Sequence, residues 1–242
     1  MANIDCDSND ASVAMIFAQR IYLYGFFHLA FGGAPNPEAV SRLFSLESCD
    51  AIAQYVEFAN ERAGDSPTQG LLALHDFLEE RVEQAPEGNF AVAMKGSFEK
   101  LYDIPGDQYV YPWESPYLGN DATLFKQSTL DVRARYHADG FKLKAEKHFP
   151  DDHVSAMMEF MGHLSQQVWE SWQAGDDEGC SQTLSEQEGF AQEHLLDWLP
   201  KFARKTAEKD DGRCYAALAE GMASFVQTDV SLCGTLMGGK EE

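Results

Sequence analysis

Between Tyr111 and Gly119 the chain reads YPWESPYLG, and this stretch limits what the rest can fold into. Pro112 and Pro116 exclude a continuous helix there, although the sequence on both sides carries a helical repeat. Four aromatics, Tyr109, Tyr111, Trp113 and Tyr117, fall between positions 109 and 117. Each such ring can bury roughly 150–250 Å², more apolar surface than an exposed linker normally carries. An extended aromatic segment of this kind either seals a core or lines a site, and the residues alone leave both readings open.

On the N-terminal side, apolar residues from Val13 to Phe31 recur on more than one face, as in a helix buried among others. Gly32-Gly33 and APNP end it. A short helix is expected from Pro37 to Leu46, then a third that Ser48 can cap, carrying Ile52, Tyr55, Val56 and Phe58. Ser66, Pro67 and Gln69 read as a capping-box start for a helix whose buried stripe is Leu71, Leu72, Leu74, Phe77, Leu78 and Val82. Phe90 to Tyr102 forms another, and Pro105-Gly106 closes the first half.

Beyond the aromatic segment, Thr123 to Ala138 is helical and Gly140 stops it. A long helix follows Pro150, with Asp151 or Asp152 as its N-cap; Met157, Phe160, Met161, Leu164 and Val168 share one face. QAGDDEGCSQT reads as a polar loop, and Ser185 with Glu188 as a capping box for a helix that Pro200 breaks or kinks. A last helix runs from about Arg213 to Val226, and GTLMGGKEE reads as loose. No strand of convincing length, repeat or low-complexity block is present. The expected fold is all-α, a bundle of about 9–11 helices in two helical halves joined by an extended hinge. Residues 1–102 form the first half, 103–120 the hinge, 121–232 the second half and 233–242 a flexible tail.

Composition narrows function. Eighteen basic against 40 acidic residues give a formal charge of −22, which repels nucleic acid and anionic lipid and favours a cationic partner or simple solubility. Five separated cysteines without C-x-x-C spacing indicate neither a disulfide framework nor a zinc knuckle. The acidic N-terminus lacks a signal-peptide pattern, and the apolar stretch around Ile21–Phe31, interrupted by His28, reads as too short for a bilayer span. A cytoplasmic, reduced protein without stable membrane insertion is expected.

Two clusters invite chemistry. HFPDDH, His148 to His153, suggests a metal site, but its histidines flank a proline turn instead of sharing a helix face. The plainer reading makes an aspartate the helix cap and His153 a first-turn residue. His153 also falls on the face of Met157, Phe160 and Leu164, where an imidazole is partly desolvated, tends to be neutral and can anchor a polar group in an apolar pocket. His75-Asp76 with His28 upstream echoes the H…HD…D order of helical metal-dependent phosphohydrolases, a weak signal. No serine-hydrolase, dinucleotide or P-loop signature occurs. Neither catalytic residues, a metal nor a cofactor is expected.

Three motifs in order, YPWESPYL (111–118), FPDDHVSAMMEFMGHL (149–164) and FAQEHLLDWLPKF (190–202), resemble the TorD/DmsD family of cytoplasmic redox-enzyme maturation chaperones. RIYLYGFFHLAFGGAPNP (20–37) is similar to the family's opening helix. In the second motif Glu146, Pro150, Asp152, His153, Glu159, Phe160 and Met161 all have counterparts. The resemblance covers roughly residues 15–230. Asp151, Pro116 and the long acidic insert 176–188 depart from it.

The resemblance implies a chaperone without chemistry. It would bind the twin-arginine signal peptide, and the body, of a molybdopterin-containing reductase of the dimethyl sulfoxide or trimethylamine N-oxide type until cofactor insertion; a related branch serves nitrate reductase. The residues suit that work. A −22 surface draws in a cationic leader, and aromatic and methionine walls adapt to its apolar stretch. A few buried leucine-sized side chains contribute on the order of 1.5–3 kcal/mol each before ordering costs, which allows micromolar binding. The expected peptide site comprises Tyr111, Pro112, Trp113, Glu114, Ser115, Tyr117 and Leu118 facing Pro150, Asp152, His153, Met157 and Phe160. Glu114 and Asp152 are placed to accept from the paired arginines. A metal-dependent hydrolase and a helical adaptor are the competing classes. An extended hinge also permits a homodimer by domain swapping.

Overall fold

The computed structural model describes residues 5–63, 67–84, 88–119, 126–143 and 150–238. Ten α-helices are present among them: α1 (Asp5–Phe31), α2 (Pro37–Leu43), α3 (Leu46–Ala63), α4 (Gln69–Glu79), α5 (Gly88–Phe98), α6 (Gln127–Ala138), α7 (Val154–Ala174), α8 (Asp177–His194), α9 (Leu199–Lys209) and α10 (Cys214–Gly238). A π-turn (Glu99–Asp103) continues α5, and a 3₁₀ turn (Ser115–Tyr117) interrupts the aromatic segment. The fold is all-α, as expected.

The helices before and after residues 103–120 share one core. α1 lies along α7, α7 along α8, and α10 packs on α3, α4, α8 and α9. The α4–α10 crossing is close because glycines meet it from both sides. A Cβ at Gly221 would fall 2.5 Å from a Leu74 methyl, and one at Gly70 would fall 2.9 Å from the Glu220 carbonyl. Phe31, Tyr102, Phe202 and Tyr215 form an edge-to-face cluster with centroids 5.4–6.1 Å apart.

At the centre, Arg20 of α1 meets Asp229 of α10, both buried. Asp229 accepts from Arg20 Nε (2.7 Å), Tyr24 Oη (2.7 Å) and Tyr55 Oη (3.0 Å). Arg20 also donates to Gln187, whose amide donates to Met161 O and Ser165 Oγ on α7. One carboxylate thereby ties α1, α3, α7, α8 and α10. Each partner offsets part of the desolvation of the ion pair.

Several boundaries differ from the sequence reading, mostly because caps come from unexpected places. α2 stops at Leu43, and Ser45 Oγ accepts from Ser48 N (3.2 Å), so Ser48 lies inside α3. α4 starts at Gln69, not at a box begun by Ser66, which lies outside the described residues. Ser224 of α10 accepts from its Leu71 N–H. The 173–183 stretch is mostly helix. Gly175 closes α7 in the left-handed region (φ 70°), and Asp176 caps α8 through Gly179 N at 3.0 Å. Ser185 and Glu188 therefore sit inside α8. Pro200 lies in the first turn of α9, where a missing N–H costs nothing, instead of breaking a helix. α10 extends through Gly238, into the stretch expected to be loose. α1, at 27 residues, is longer than the apolar stretch around Ile21–Phe31 suggested; Ala11–Phe31 is long and apolar enough to cross a membrane. In this fold that stretch packs along α7 and holds buried Arg20.

Candidate functional site

Two distant segments meet as a short antiparallel strap. Trp113 and His153 form its central pair; Glu114 N donates to Asp152 O (3.0 Å) and Val154 N to Pro112 O (2.8 Å). Proline at 112 removes a donor but keeps its carbonyl, so it can serve this edge. Beside the strap, Asp152 Oδ2 accepts from Ser115 N at 2.8 Å and fixes the 3₁₀ turn. Asp151 accepts from Arg133 Nε (2.8 Å), and its carbonyl takes the Tyr136 hydroxyl proton (3.0 Å). With both aspartates engaged, the N-cap of α7 is neither of them. His153 takes it, its Nδ1 accepting from Ser155 N at 3.2 Å. Trp113 packs edge-on against the His153 ring at 5.3 Å.

This burial sets the protonation states. Desolvation, with His28 nearby, holds His153 down at about 3, so it is neutral at physiological pH. Desolvation also raises Glu114, against the opposing effect of His194, whose Nδ1 lies 3.2 Å from Oε1. His194 is held in turn by the α8–α9 junction, its carbonyl accepting from Trp198 Nε1 at 2.6 Å. Among the described residues, Glu114 Oε2, Asp152 Oδ1 and Ser115 Oγ are buried without a hydrogen-bond partner. Two carboxylate oxygens and one hydroxyl are thus left over on residues that form or back the strap.

In front of the strap opens a recess of about 250 Å³. Its floor is the end of α1, Phe31-Gly32-Gly33, where a side chain at 32 would meet the His28 carbonyl at 2.8 Å. One wall is the π-turn, with Phe98, Tyr102 and Asp103; Ile104 N closes the wide turn on Glu99 O at 2.8 Å. Val110 N then donates to Leu101 O (2.7 Å), which brings Tyr109 and Trp113 to the rim. His153 and Ser155 complete it from α7.

Of the residues expected to form the site, Trp113 and His153 line this recess. Pro112, Glu114, Ser115, Pro150 and Asp152 form or back the strap and are buried. Tyr111 is half-buried and its carbonyl accepts from Tyr117 Oη at 2.9 Å. Tyr117 turns to Trp198 (5.4 Å) and Lys205, while Leu118 is half-buried and its carbonyl takes Lys126 Nζ at 2.6 Å. Met157 and Phe160 lie in the core, Phe160 against Tyr136 and Phe190. Sequence reasoning missed Phe31, Phe98, Tyr102 and Asp103. The double glycine and Tyr109 were visible signals, but a π-turn has no periodic signature.

The other clusters resolve differently. His75, Asp76 and Glu79 bring ligand atoms within 4.8 Å of one another on the outer side of α4. His28 is not in that group; its Nδ1 pairs with Ser155 O at 3.0 Å. In HFPDDH, His148 lies outside the described residues, and His153 is committed to its cap.

Fold and recess define the class: an all-helical protein with an aromatic recess beside a buried acidic strap. The family follows from comparison. Residues 51–204 match the family described as nitrate reductase delta subunit, and the chain belongs to this TorD/NarJ-type family. It is 29% identical over 118 residues to the chaperone protein TorD of Vibrio vulnificus, covering 49% of this chain and 54% of that protein. Against TorD of Aliivibrio fischeri it is 31% identical over 119 residues, again 49% and 54%. Against TorD of Vibrio parahaemolyticus it is 23% identical over 176 residues, 72% of this chain and 80% of that protein. The chain thus spans about half the length of most of the curated relatives it matches.

Proposed function

We propose that the chain is a cytoplasmic redox-enzyme maturation chaperone that acts without catalysis. It binds the twin-arginine signal peptide and body of a molybdopterin-containing reductase of the dimethyl sulfoxide or trimethylamine N-oxide type, and supports cofactor insertion before export. One observation carries this reading. The YPWESPYL and PDDH motifs, 37 residues apart at Ser115 and Asp152, pair in space beside an aromatic recess. The family match and the TorD relatives support it from outside the geometry. The −22 charge favours a cationic leader. A nitrate-reductase client is the second reading, favoured by the description of the matching family.

The peptide site includes the strap residues named above, with Trp113 and His153 met first and the buried ones reached as the strap loosens. Residues 103–120 serve as the hinge for that movement, and the same hinge supports dimerisation by domain swapping. Calorimetric titration with synthetic leaders of a trimethylamine N-oxide reductase and a nitrate reductase tests the reading. Micromolar or tighter binding of one, weakened by Trp113→Ala and by Asp152→Ala/His153→Ala, is the expected result. No binding of either leader, or unchanged affinity in variants that remain folded, would overturn it. The conservative His153→Gln covers the case in which the double variant unfolds.

A further inference from the structure

Glu114 and Asp152, the acceptors expected for paired arginines, are 1% and 0% exposed behind the strap. A cation arriving from solvent does not reach them first. The recess in front offers a different carboxylate. Asp103, at the end of the π-turn, is exposed, lines the recess and has no ion-pair partner among the described residues.

We infer that Asp103 is the recognition carboxylate for one arginine side chain of the bound leader, seated in the recess with its guanidinium against the aromatic rim. This rests on the peptide-binding reading above and names the residue that reads the charge. Asp103 supplies the one ionised side chain among those lining the recess, since His153 is kept neutral by burial. No lysine or arginine lines it; Lys100 lies on the π-turn outside the lining, and Lys209 Nζ donates to the backbone of Tyr109 at 3.0 Å. Glu99 on the same turn is paired with Lys95 (3.7 Å), and desolvation, with Glu99 second, raises the Asp103 carboxyl. The His28 carbonyl, in the last turn of α1, lies at the floor by Gly32, and a helix C-terminus favours a positive charge. Tyr109 and Trp113 present π systems, over which a planar guanidinium stacks while its fork meets a carboxylate. At about 250 Å³ the recess suits one or two side chains, below the size of a drug-sized ligand pocket.

The experiment crosses two proteins with two peptides. Wild type and Asp103→Asn are titrated with a synthetic peptide of two adjacent arginines followed by an alanine–leucine stretch. The second peptide replaces both arginines by citrulline, which keeps the shape and removes the charge. Asp103→Asn should weaken the arginine peptide about tenfold, the scale of one charge-assisted hydrogen bond. The citrulline peptide should bind both proteins equally and more weakly. If Asp103→Asn binds the arginine peptide as wild type does, the role of Asp103 is overturned while the chaperone reading stands. Equal binding of the two peptides by wild type overturns charge recognition in the recess. If wild type binds neither peptide, and neither reductase leader, the reading beneath the inference fails with it.

Discussion

Two of the places where the described residues bury charge do it in opposite ways. At the centre, Asp229 is met by an arginine and two tyrosine hydroxyls drawn from helices far apart in sequence, so that its carboxylate is matched although Arg20 Nη1 has no hydrogen-bond partner among the described residues. Behind the strap, Glu114 and Asp152 each keep one carboxylate oxygen, and Ser115 its hydroxyl, without a hydrogen-bond partner among the described residues. A matched buried pair becomes indispensable once its partners exist, because removing one leaves the other desolvated. Unmatched acceptors do the reverse and hold their surroundings at some cost. The centre therefore fixes which helices meet, and the strap is the part of the fold most readily loosened.

The largest expected effect breaks the matched centre. Asp229→Ala strands Arg20, Tyr24 and Tyr55 and should cost about 3–5 kcal/mol, measured by urea unfolding. A loss below about 1 kcal/mol would mean that the pair contributes little.

A glycine test comes next. Gly221→Val drives a side chain into Leu74 at the α4–α10 crossing and should cost about 1–3 kcal/mol. Gly234→Ala on the same helix meets nothing within 4 Å and should be neutral or slightly stabilising.

The third contrast reverses sign. Burial raises the Glu114 carboxyl, so its ionised form destabilises the fold at neutral pH. Glu114→Gln should be neutral or stabilising by up to about 1 kcal/mol there. A loss like that at Asp229 would make strap and centre alike.

A smaller effect is read against pH. His153 has a depressed folded value, so its contribution to stability is present above its ordinary value of 6.5 and is lost as pH falls toward about 3. Glu114 works oppositely, its raised value favouring the fold as acid is added. The difference between wild type and His153→Gln isolates the first group. It should change with pH below 6.5 and stay flat above it; a flat difference throughout would show that His153 is not desolvated.

The helical content, Gly140 as a stop and the strap motifs were legible because period and proline placement are local properties. Caps were less so. Asp151 and Asp152 are sound N-caps in isolation, yet Arg133 and Ser115 claim them first, and Ser224 supplies a cap from across the bundle. The 173–183 run reads as loop by composition, but Asp176 caps a helix there. At the site, Trp113 and His153 stood out by type and place. Asp103 did not, since nothing local marks the π-turn that carries it to the recess.

Amide hydrogen exchange with and without a twin-arginine leader tests the strap and recess most directly. Slower exchange should appear at the π-turn and recess rim, with altered exchange at Glu114, Ser115 and Val154, whose N–H groups hold the strap. The helices around Asp229 should be unchanged. Protection confined to the larger groove between α1 and α2, about 560 Å³ and lined by Ile21, Phe26 and Leu29, with the strap unaffected, would contradict this placement of the site.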